Sequence, residues 1–344
     1  MNRTVELGTL LSPAKTVRCG KGNYPVLSMT MHNGLVFQDE KFKKVIASKD
    51  TSAYKVVYRN QLVISFPIDE GVLAAQRITD AGIVSPAYGI WDIDQSQIVP
   101  EFLEYALRSN RAIQYYKSKL RGSTARRRSL PTPNLLAFTV PLFNIDVQHK
   151  ILDKIHRVQA IIDKHETQLQ KLDDLIKARF VEMFGDPLSN PKGWQTKRFD
   201  SICENLDSRR KPITASEREA GKYPYYGASG IVDYVADYIF DEDILLVSED
   251  GANLLMRSTP IAFSVSGKVW VNNHAHVVRF NDKGLQKYIE VCFSMIDISN
   301  QITGSAQPKL NQAKLNAMFF PIPDKKLTDS FLEFLVQVDK SKVA

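Results

Sequence analysis

The chain has 344 residues, which exceeds the usual size of one compact domain and suits two domains of moderate size. Its apolar share of 44% and charged share of 24% are those of a folded protein and exclude a mainly disordered chain. The net charge of +7 and the isoelectric point near 9.1 favour a polyanionic partner such as nucleic acid. Three widely separated cysteines exclude a disulfide framework, and no apolar run is long enough to span a bilayer, so we expect a cytoplasmic protein without membrane contact.

Residues 1–143 are predicted to form a β-rich domain that closes on a basic loop. The loop sequence GSTARRRSLPTPNLLAFTVP starts at residue 122 and mixes fixed cations with hydroxyls, the groups that contact phosphate oxygens in nucleic acids. The alternative is a solvated basic loop without a ligand. The residues predicted to contact DNA in this half are Arg121, Ser123, Arg126, Arg127 and Arg128.

The next segment, residues 144–186, is predicted to be a long spacer helix. With His165 counted as a polar seam position, its apolar positions from Ile151 to Met183 alternate spacings of four and three almost throughout, which is typical of a coiled-coil seam. The helix would be about 55 Å long, and Gly185 followed by Pro187 would end it. A seam needs a partner, and the residues predicted to contact one are Ile162, Leu169, Leu172 and Ile176.

Residues 187–323 repeat the first half. GSAQPKLNQAKLNAMFFP from residue 304 matches the first basic loop in its Gly-Ser start, two leucines and closing proline. YRNQLVIS and SPAYGI of the first half also match FDEDILLVS and NHAHVV of the second. One fold that occurs twice with different side chains is therefore expected. The residues predicted to contact DNA in this half are Arg209, Arg210, Lys211, Ser305, Lys309 and Lys314.

The C-terminal segment, residues 324–344, carries the apolar spacing of the spacer helix at Leu327, Phe331, Leu335 and Val338. It is the repeat equivalent of the start of that helix, so the two are expected to pack antiparallel and to relate the halves by a pseudo-two-fold axis. The predicted fold class is α+β: two similar β-rich domains, separated by a long helix that pairs with a C-terminal helix as an antiparallel coiled coil.

Two further groups of residues leave their role open. The tyrosines of the second half could meet sugar and base edges or could pack within a sheet, which favours tyrosine in any case; they are Tyr223, Tyr225, Tyr226, Tyr234 and Tyr238. His274 and His276 lie two apart in a predicted strand, so both rings would point to one face. No third ligand stands out, and no metal site is expected.

Catalytic motifs are absent from the sequence. An adenine methyltransferase needs a tetrapeptide of the type Asn/Asp-Pro-Pro-aromatic, and both DPLS from residue 186 and NPKG from residue 190 fail at the third position. The P-loop that a motor needs is missing, and no Ser/His/Asp or Cys/His arrangement is evident. We therefore predict that the chain is not an enzyme and has no catalytic residues of its own.

Several stretches resemble the specificity subunits of Type I restriction-modification enzymes. They are GDPLSNPKGW from residue 185, VNNHAHVVR from residue 271, GSAQPKLNQAKLNAMFFPIP from residue 304 and VQHKILDKI from residue 147, and together they cover most of the chain in outline. The resemblance implies two target recognition domains that each read a few base pairs of double-stranded DNA. Because the halves differ, it implies a bipartite, asymmetric target with a gap set by the helices.

The same resemblance implies the partners. Modification (methyltransferase) subunits would bind the helical region and supply S-adenosylmethionine for adenine methylation, and restriction (translocase and endonuclease) subunits would use ATP and Mg²⁺. This chain would hold none of these cofactors. The alternative is a non-specific nucleic-acid-binding or adaptor protein without a restriction-modification role, which the basic composition alone would also allow.

Overall fold

The computed structural model describes residues 3–41, 50–121, 130–304 and 306–343. The chain divides into two compact units, residues 1–163 and 164–344, which we call unit 1 and unit 2. The boundary between them falls within the predicted spacer helix, which extends over Ile145–Phe184 as helix α5. Within the described residues, no helix combines the length and the apolar character that a bilayer crossing requires.

Unit 1 consists of short strands followed by helices. The strands are β1 (Arg3–Glu6), β2 (Leu11–Pro13), β3 (Leu27–Thr30), β4 (Gly34–Phe37), β5 (Lys55–Tyr58), β6 (Leu62–Ile64), β7 (Leu73–Ala75), β8 (Ala81–Val84), β9 (Gly89–Ile93) and β10 (Thr139–Leu142). The helices are α1 (Gln38–Lys41), α2 (Pro100–Leu107), α3 (Asn110–Lys119), α4 (Thr132–Leu136) and the first part of α5. The largest sheet has the strand order β2-β9-β6-β7, and β1 pairs with β10. In the main core of unit 1, this sheet packs against α2 and α3, and Leu62, Leu103 and Tyr116 are fully buried.

Unit 2 has a similar order of strands and helices. Its strands are β11 (Gln195–Arg198), β12 (Glu204–Asn205), β13 (Ala220–Gly227), β14 (Gly230–Val235), β15 (Phe240–Asp241), β16 (Ile244–Ser248), β17 (Ala262–Val265), β18 (Lys268–Val271), β19 (Ala275–Arg279) and β20 (Phe319–Ile322). Its helices are the last part of α5, α6 (Asn253–Met256), α7 (Lys283–Met295), α8 (Gln312–Asn316) and α9 (Lys325–Val343). One sheet has the order β12-β19-β16-β17, another has the order β14-β13-β18-β15, and β11 pairs with β20.

The repeat predicted from the sequence is confirmed by the matching topology of the two units. The order β2-β9-β6-β7 corresponds to β12-β19-β16-β17, and the ladder β1-β10 corresponds to β11-β20. A glutamate on the following helix also repeats its role. Glu104 on α2 accepts the amide hydrogen of Ala75 at 3.0 Å, and Glu290 on α7 accepts that of Ser264 at 3.1 Å. These side chains fix the helix to the equivalent edge strand in both units.

The strand register corrects one detail of the sequence match. Pairing SPAYGI with NHAHVV sets Tyr88 against His276. In the structure, Gly89 pairs with Ile64 on β6, while His276 pairs with Val247 on β16. Gly89 is therefore the structural equivalent of His276. The side chains in these short segments differ too much for the sequence alone to fix the register, whereas the backbone ladder fixes it to the residue.

Helices α5 and α9 pack antiparallel within unit 2, as predicted. Phe331 of α9 is fully buried against Phe180 and Phe184 of α5, with ring centroids 5.6 and 5.3 Å apart. Towards the other end of the pair, Lys342 lies 2.7 Å from Asp173. The residue numbers rise along one helix as they fall along the other, which defines the antiparallel direction. Helix α5 ends where Gly185 adopts a left-handed backbone with φ of 80°.

Candidate nucleic-acid interface

The predicted basic loop of unit 1 is described only at its edge. Arg121 is exposed and directly follows the segment that ends helix α3. Ser123, Arg126, Arg127 and Arg128 lie outside the described residues, as does Ser305 of unit 2. Their contact with DNA stays a prediction from the sequence.

The basic run of unit 2 divides into one buried and two exposed side chains. Arg209 is exposed, but its guanidinium is held 2.7 Å from Glu242 and 4.6 Å from the ring centre of Phe240. Lys211 is exposed, and its carbonyl oxygen accepts the indole hydrogen of Trp270 at 2.6 Å. Arg209 and Lys211 thus present cations from a fixed backbone, which suits contact with phosphate.

Arg210 points inward instead. Its side chain is 14% exposed, and its guanidinium donates to Glu249 at 2.6 Å and to the carbonyl oxygen of Ala275 at 2.8 Å. A second nitrogen lies 3.4 Å from Asp207. With its donors directed to internal acceptors, Arg210 organises a cluster of charges beneath the surface, and its predicted contact with DNA stays untested.

His276 completes this cluster. Its side chain is 1% exposed, with Nδ1 2.6 Å from Asp207 Oδ2 and Nε2 2.8 Å from the carbonyl oxygen of Leu310. Burial alone would raise the pKa of Asp207, but the hydrogen bonds from His276 and from the Val277 amide hold it below its usual value. Burial alone would also raise the pKa of Glu249, but its contacts with Arg210 and Lys309 lower that pKa below its usual value.

The cluster resembles a metal site in its ligand types but not in its charge balance. Asp207, Glu249 and His276 offer ligand atoms within 4.8 Å of one another. Arg210, however, already contacts both carboxylates, and a cation in the same place would meet its guanidinium. His274, the second histidine of the sequence motif, is half-exposed and contacts Asp250 at 2.9 Å. The two histidines therefore have different partners, and the cluster is an ion-pair network.

The loop that carries Lys309 is fastened to this network. Thr303 and Lys309 exchange backbone hydrogen bonds of 2.8 Å, and the Leu310 amide donates to the carbonyl oxygen of Glu249 at 2.8 Å. The Lys309 ammonium lies 3.0 Å from Glu249 Oε1 and remains about half exposed. Lys314 is partly buried on α8, and its ammonium is 3.5 Å from the carbonyl oxygen of Asn300. Lys309 is thus the better placed of the two to reach a phosphate.

Among the described residues of unit 1, the positions that correspond to His276, Glu249 and Leu310 carry no charge. The matched strands and helices define three equivalent pairs of residues. Gly89 corresponds to His276, Phe66 to Glu249 and Leu130 to Leu310. These three unit 1 residues line a mainly apolar cleft of about 180 Å³, together with Trp91. One backbone framework therefore presents opposite chemistry in the two units.

The tyrosines of unit 2 divide between packing and exposure. Tyr225 is buried, and its hydroxyl lies 3.2 Å from the amide nitrogen of Ile213. Tyr223 packs against Tyr238, with ring centroids 5.1 Å apart. Tyr234 is exposed on the edge strand β14. Sheet packing therefore accounts for Tyr223, Tyr225 and Tyr238, and Tyr234 is free to meet a ligand.

The predicted partner-binding positions on α5 differ in burial. Ile162 in unit 1 and Leu169 in unit 2 are exposed, whereas Leu172 is half-buried. Ile176 packs against the core of unit 2 and also lines a cleft of about 410 Å³. Arg257 lines the same cleft and donates to the carbonyl oxygens of Phe293 and Ile296 at the end of α7, at 2.8 and 3.0 Å. No sequence pattern indicates the position of Arg257, because its partners are backbone atoms.

Comparisons with known proteins agree with this arrangement. Residues 191–344 match the family model described as the Type I restriction modification DNA specificity domain. A protein named as a type I restriction enzyme specificity subunit in Haemophilus influenzae is 32% identical over 139 residues, which are 40% of this chain. The aligned part covers 36% of that protein, so the chain spans little more than a third of the curated relative it matches.

Two solved structures share the fold over the whole chain. The S subunit of a type I restriction-modification system from M. genitalium has a TM-score of 0.52 at 13% identity, covering 100% of this chain and 92% of that one. A structure reported for complex assembly and conformational transition of the type I R-M system has a TM-score of 0.52 at 15% identity, covering 99% and 92%. At these identities the likeness concerns the fold alone.

The fold and the matched domain indicate a class of protein: two similar α+β units, the second of which matches a domain model described as a DNA specificity domain. The resemblance to Type I restriction-modification specificity subunits, drawn first from short sequence stretches, is confirmed. This chain is similar to those subunits, and residues 191–344 carry the match to the family model.

Proposed function

We propose that this chain reads a bipartite, asymmetric target in double-stranded DNA and directs adenine methylation and restriction by partner subunits. The observation that carries the proposal is the occurrence of one fold twice with different chemistry at matched positions, His276 and Glu249 in unit 2 against Gly89 and Phe66 in unit 1. Two units of one fold whose loops rest on different chemistry suit two different half-targets.

The catalytic work belongs to the partners in this proposal. Modification subunits bring S-adenosylmethionine, and restriction subunits bring ATP and Mg²⁺, so this chain needs no cofactor of its own. The exposed apolar side chains of Ile162 and Leu169 on α5 support contact with a modification subunit, because isolated apolar positions at a helical spacing suit a partner's helix or groove.

The test is methylome sequencing of a host that makes this chain together with a neighbouring modification subunit. We expect N6-methyladenine at a split, asymmetric motif, and we expect it to vanish from a matched host that makes the modification subunit alone. If both proteins are made and associate but no new motif is methylated, active DNA specification is wrong. Binding of unrelated nucleic acids with equal affinity would instead favour a non-specific binding protein.

The contribution of unit 2 to DNA recognition is tested by reversing one exposed charge. In unit 2, a Lys211→Glu substitution changes an exposed charge while leaving the carbonyl contact to Trp270 in place. We expect methylation to weaken at the motif without a change in the protein's stability, since the side chain is solvent-exposed. Lys21→Glu, an exposed charge in unit 1 outside the predicted contacts, serves as the matched control.

A further inference from the structure

The protonation of His276 follows from its neighbours. Both ring nitrogens face hydrogen-bond acceptors: the Asp207 carboxylate at 2.6 Å and the carbonyl oxygen of Leu310 at 2.8 Å. A carbonyl oxygen and an ionised carboxylate can only accept, so each ring nitrogen must donate a hydrogen. A neutral histidine has one donor and would leave a lone pair facing one of these oxygens. The contacts therefore require the imidazolium form in a side chain that is almost fully buried.

His276 connects three parts of the chain that are distant in sequence. Asp207 follows strand β12, His276 lies on β19, and Leu310 belongs to the loop before α8. Gln312 on α8 strengthens the same connection, since its amide nitrogen is 2.7 Å from Asn205 and 3.2 Å from Asp207. The described loop residues 306–310, which include Lys309, thus depend on this histidine for one of their attachments.

We infer that His276 is a positioning residue that, as an imidazolium, holds residues 306–310 in the conformation that contacts DNA. The inference rests on the proposed function. When the ring loses a proton, one of its two hydrogen bonds becomes a repulsion between a nitrogen lone pair and an oxygen. The loop loses that attachment, and DNA binding through unit 2 weakens as the pH rises. In unit 1 the corresponding position is Gly89, which has no side chain that could make these hydrogen bonds.

The charges around the ring come from every element packed against it. Asp207 is 2.6 Å from Nδ1, and Glu249 after β16 is 3.7 Å from the same nitrogen. Arg210 contacts both carboxylates, and Lys309 contacts Glu249 from the loop. The network thus contains two carboxylates, one guanidinium, one ammonium and the imidazolium. Loss of the imidazolium charge leaves Asp207 without its nearest charged partner.

A second histidine nearby must be separated from His276 in any experiment. His274 is half-exposed and contacts Asp250 at 2.9 Å. Because it is a histidine close to the same cluster, its contribution has to be measured with a variant of its own. His274 contacts neither residues 306–310 nor Asp207 through any of the hydrogen bonds found among the described residues. A His274→Asn variant is therefore the matched control.

The experiment measures DNA affinity against pH. The probe is an unmethylated fluorescent duplex that carries the motif found by methylome sequencing. The protein is the full chain with its modification subunit. From about pH 6 to about pH 9, which brackets histidine titration, we expect the dissociation constant of the wild type to rise about tenfold, the effect of losing one buried charged hydrogen bond. The His274→Asn variant is expected to keep this pH profile.

The variant Asp207→Asn distinguishes this role from a merely structural one. The asparagine oxygen can still accept the Val277 amide hydrogen, which now bonds Asp207 at 2.8 Å, while its amide group donates to Nδ1 of a neutral ring. His276 then satisfies both neighbours without a second proton. We expect a flat pH profile from this variant, which a general loss of packing would not produce.

A measurement on the unmodified chain keeps the test decisive if a variant does not fold. Histidine ¹⁵N NMR is expected to show one buried ring protonated on both nitrogens at about pH 6, the lower end of the histidine range. Exchange of the Lys309 and Leu310 amides is expected to accelerate, beyond its intrinsic pH dependence, as that ring deprotonates. Motif-selective binding with a pH-independent affinity and a neutral His276 ring overturns this inference alone. Absence of motif-selective binding at every pH overturns the proposed function instead.

Discussion

Truncation of Phe331 to alanine tests the pairing of α5 with α9. The ring is 0% exposed and contacts Phe180 and Phe184 of α5 edge-to-face, with centroid distances of 5.6 and 5.3 Å. Removal of a fully buried phenylalanine costs about 3–5 kcal/mol, because apolar area is lost and a cavity remains. We take about 4 kcal/mol for Phe331→Ala, since two favourable aromatic contacts disappear with the ring.

The assay is urea unfolding followed by tryptophan fluorescence, to which Trp194 and Trp270 contribute from unit 2. With a denaturant slope of about 2 kcal/mol per molar urea, a loss of about 4 kcal/mol lowers the midpoint of the unit 2 transition by about 2 M. Val336→Ala is the control, because Val336 lies on the same helix with 45% exposure and its truncation should change stability by less than about 0.5 kcal/mol. Equal effects of the two substitutions would refute the helix packing described above.

Three further predictions concern charge. Lys309→Ala should reduce the slope of log affinity against log salt concentration by about one, because each phosphate contact releases about one counterion, and an unchanged slope removes Lys309 from the interface. Burial opposes ionisation of Asp282, but its ion pair with Lys325 and its hydrogen bond from a helix amide keep its pKa below the usual value. The ionised side chain therefore stabilises the folded protein above about pH 4, and this stabilisation is lost as the pH falls through the lowered pKa. Asp282→Asn should therefore lose less stability than the wild type between about pH 5 and about pH 2 in urea titrations, and equal losses would contradict this assignment. EDTA should leave the melting temperature unchanged, since Arg210 occupies the space between the carboxylates; a clear decrease would reveal a bound metal after all.

Long-range periodicity is what the sequence conveys best. The predicted spacer at residues 144–186 is observed as Ile145–Phe184, because alternating spacings of four and three persist over many turns and Gly185 ends them. The pairing of α5 with α9 was predictable for the same reason, together with the repeat. The repeat itself was visible because Gly-Ser, leucine and proline positions recur around α4 and α8.

The charge cluster of unit 2 was not predictable, because sheet register brings its members together. Asp207, Glu249 and His276 come from three separate segments, and only the pairing of β19 with β12 and β16 makes them neighbours. Arg210 illustrates the difficulty. In the sequence it is one of three consecutive basic residues, and nothing there distinguishes the inward side chain from the exposed ones on either side.

The exchange of His276 for Gly89 at one ladder position has a consequence for how such proteins evolve. The strands β9 and β19 are held by backbone hydrogen bonds, and Glu104 and Glu290 anchor their units through backbone amides as well. The side chains that face the loop before α4 or α8 can therefore all be replaced while the fold is conserved. Mutation or recombination confined to one unit can thus create a new recognition specificity and leave the other inherited intact.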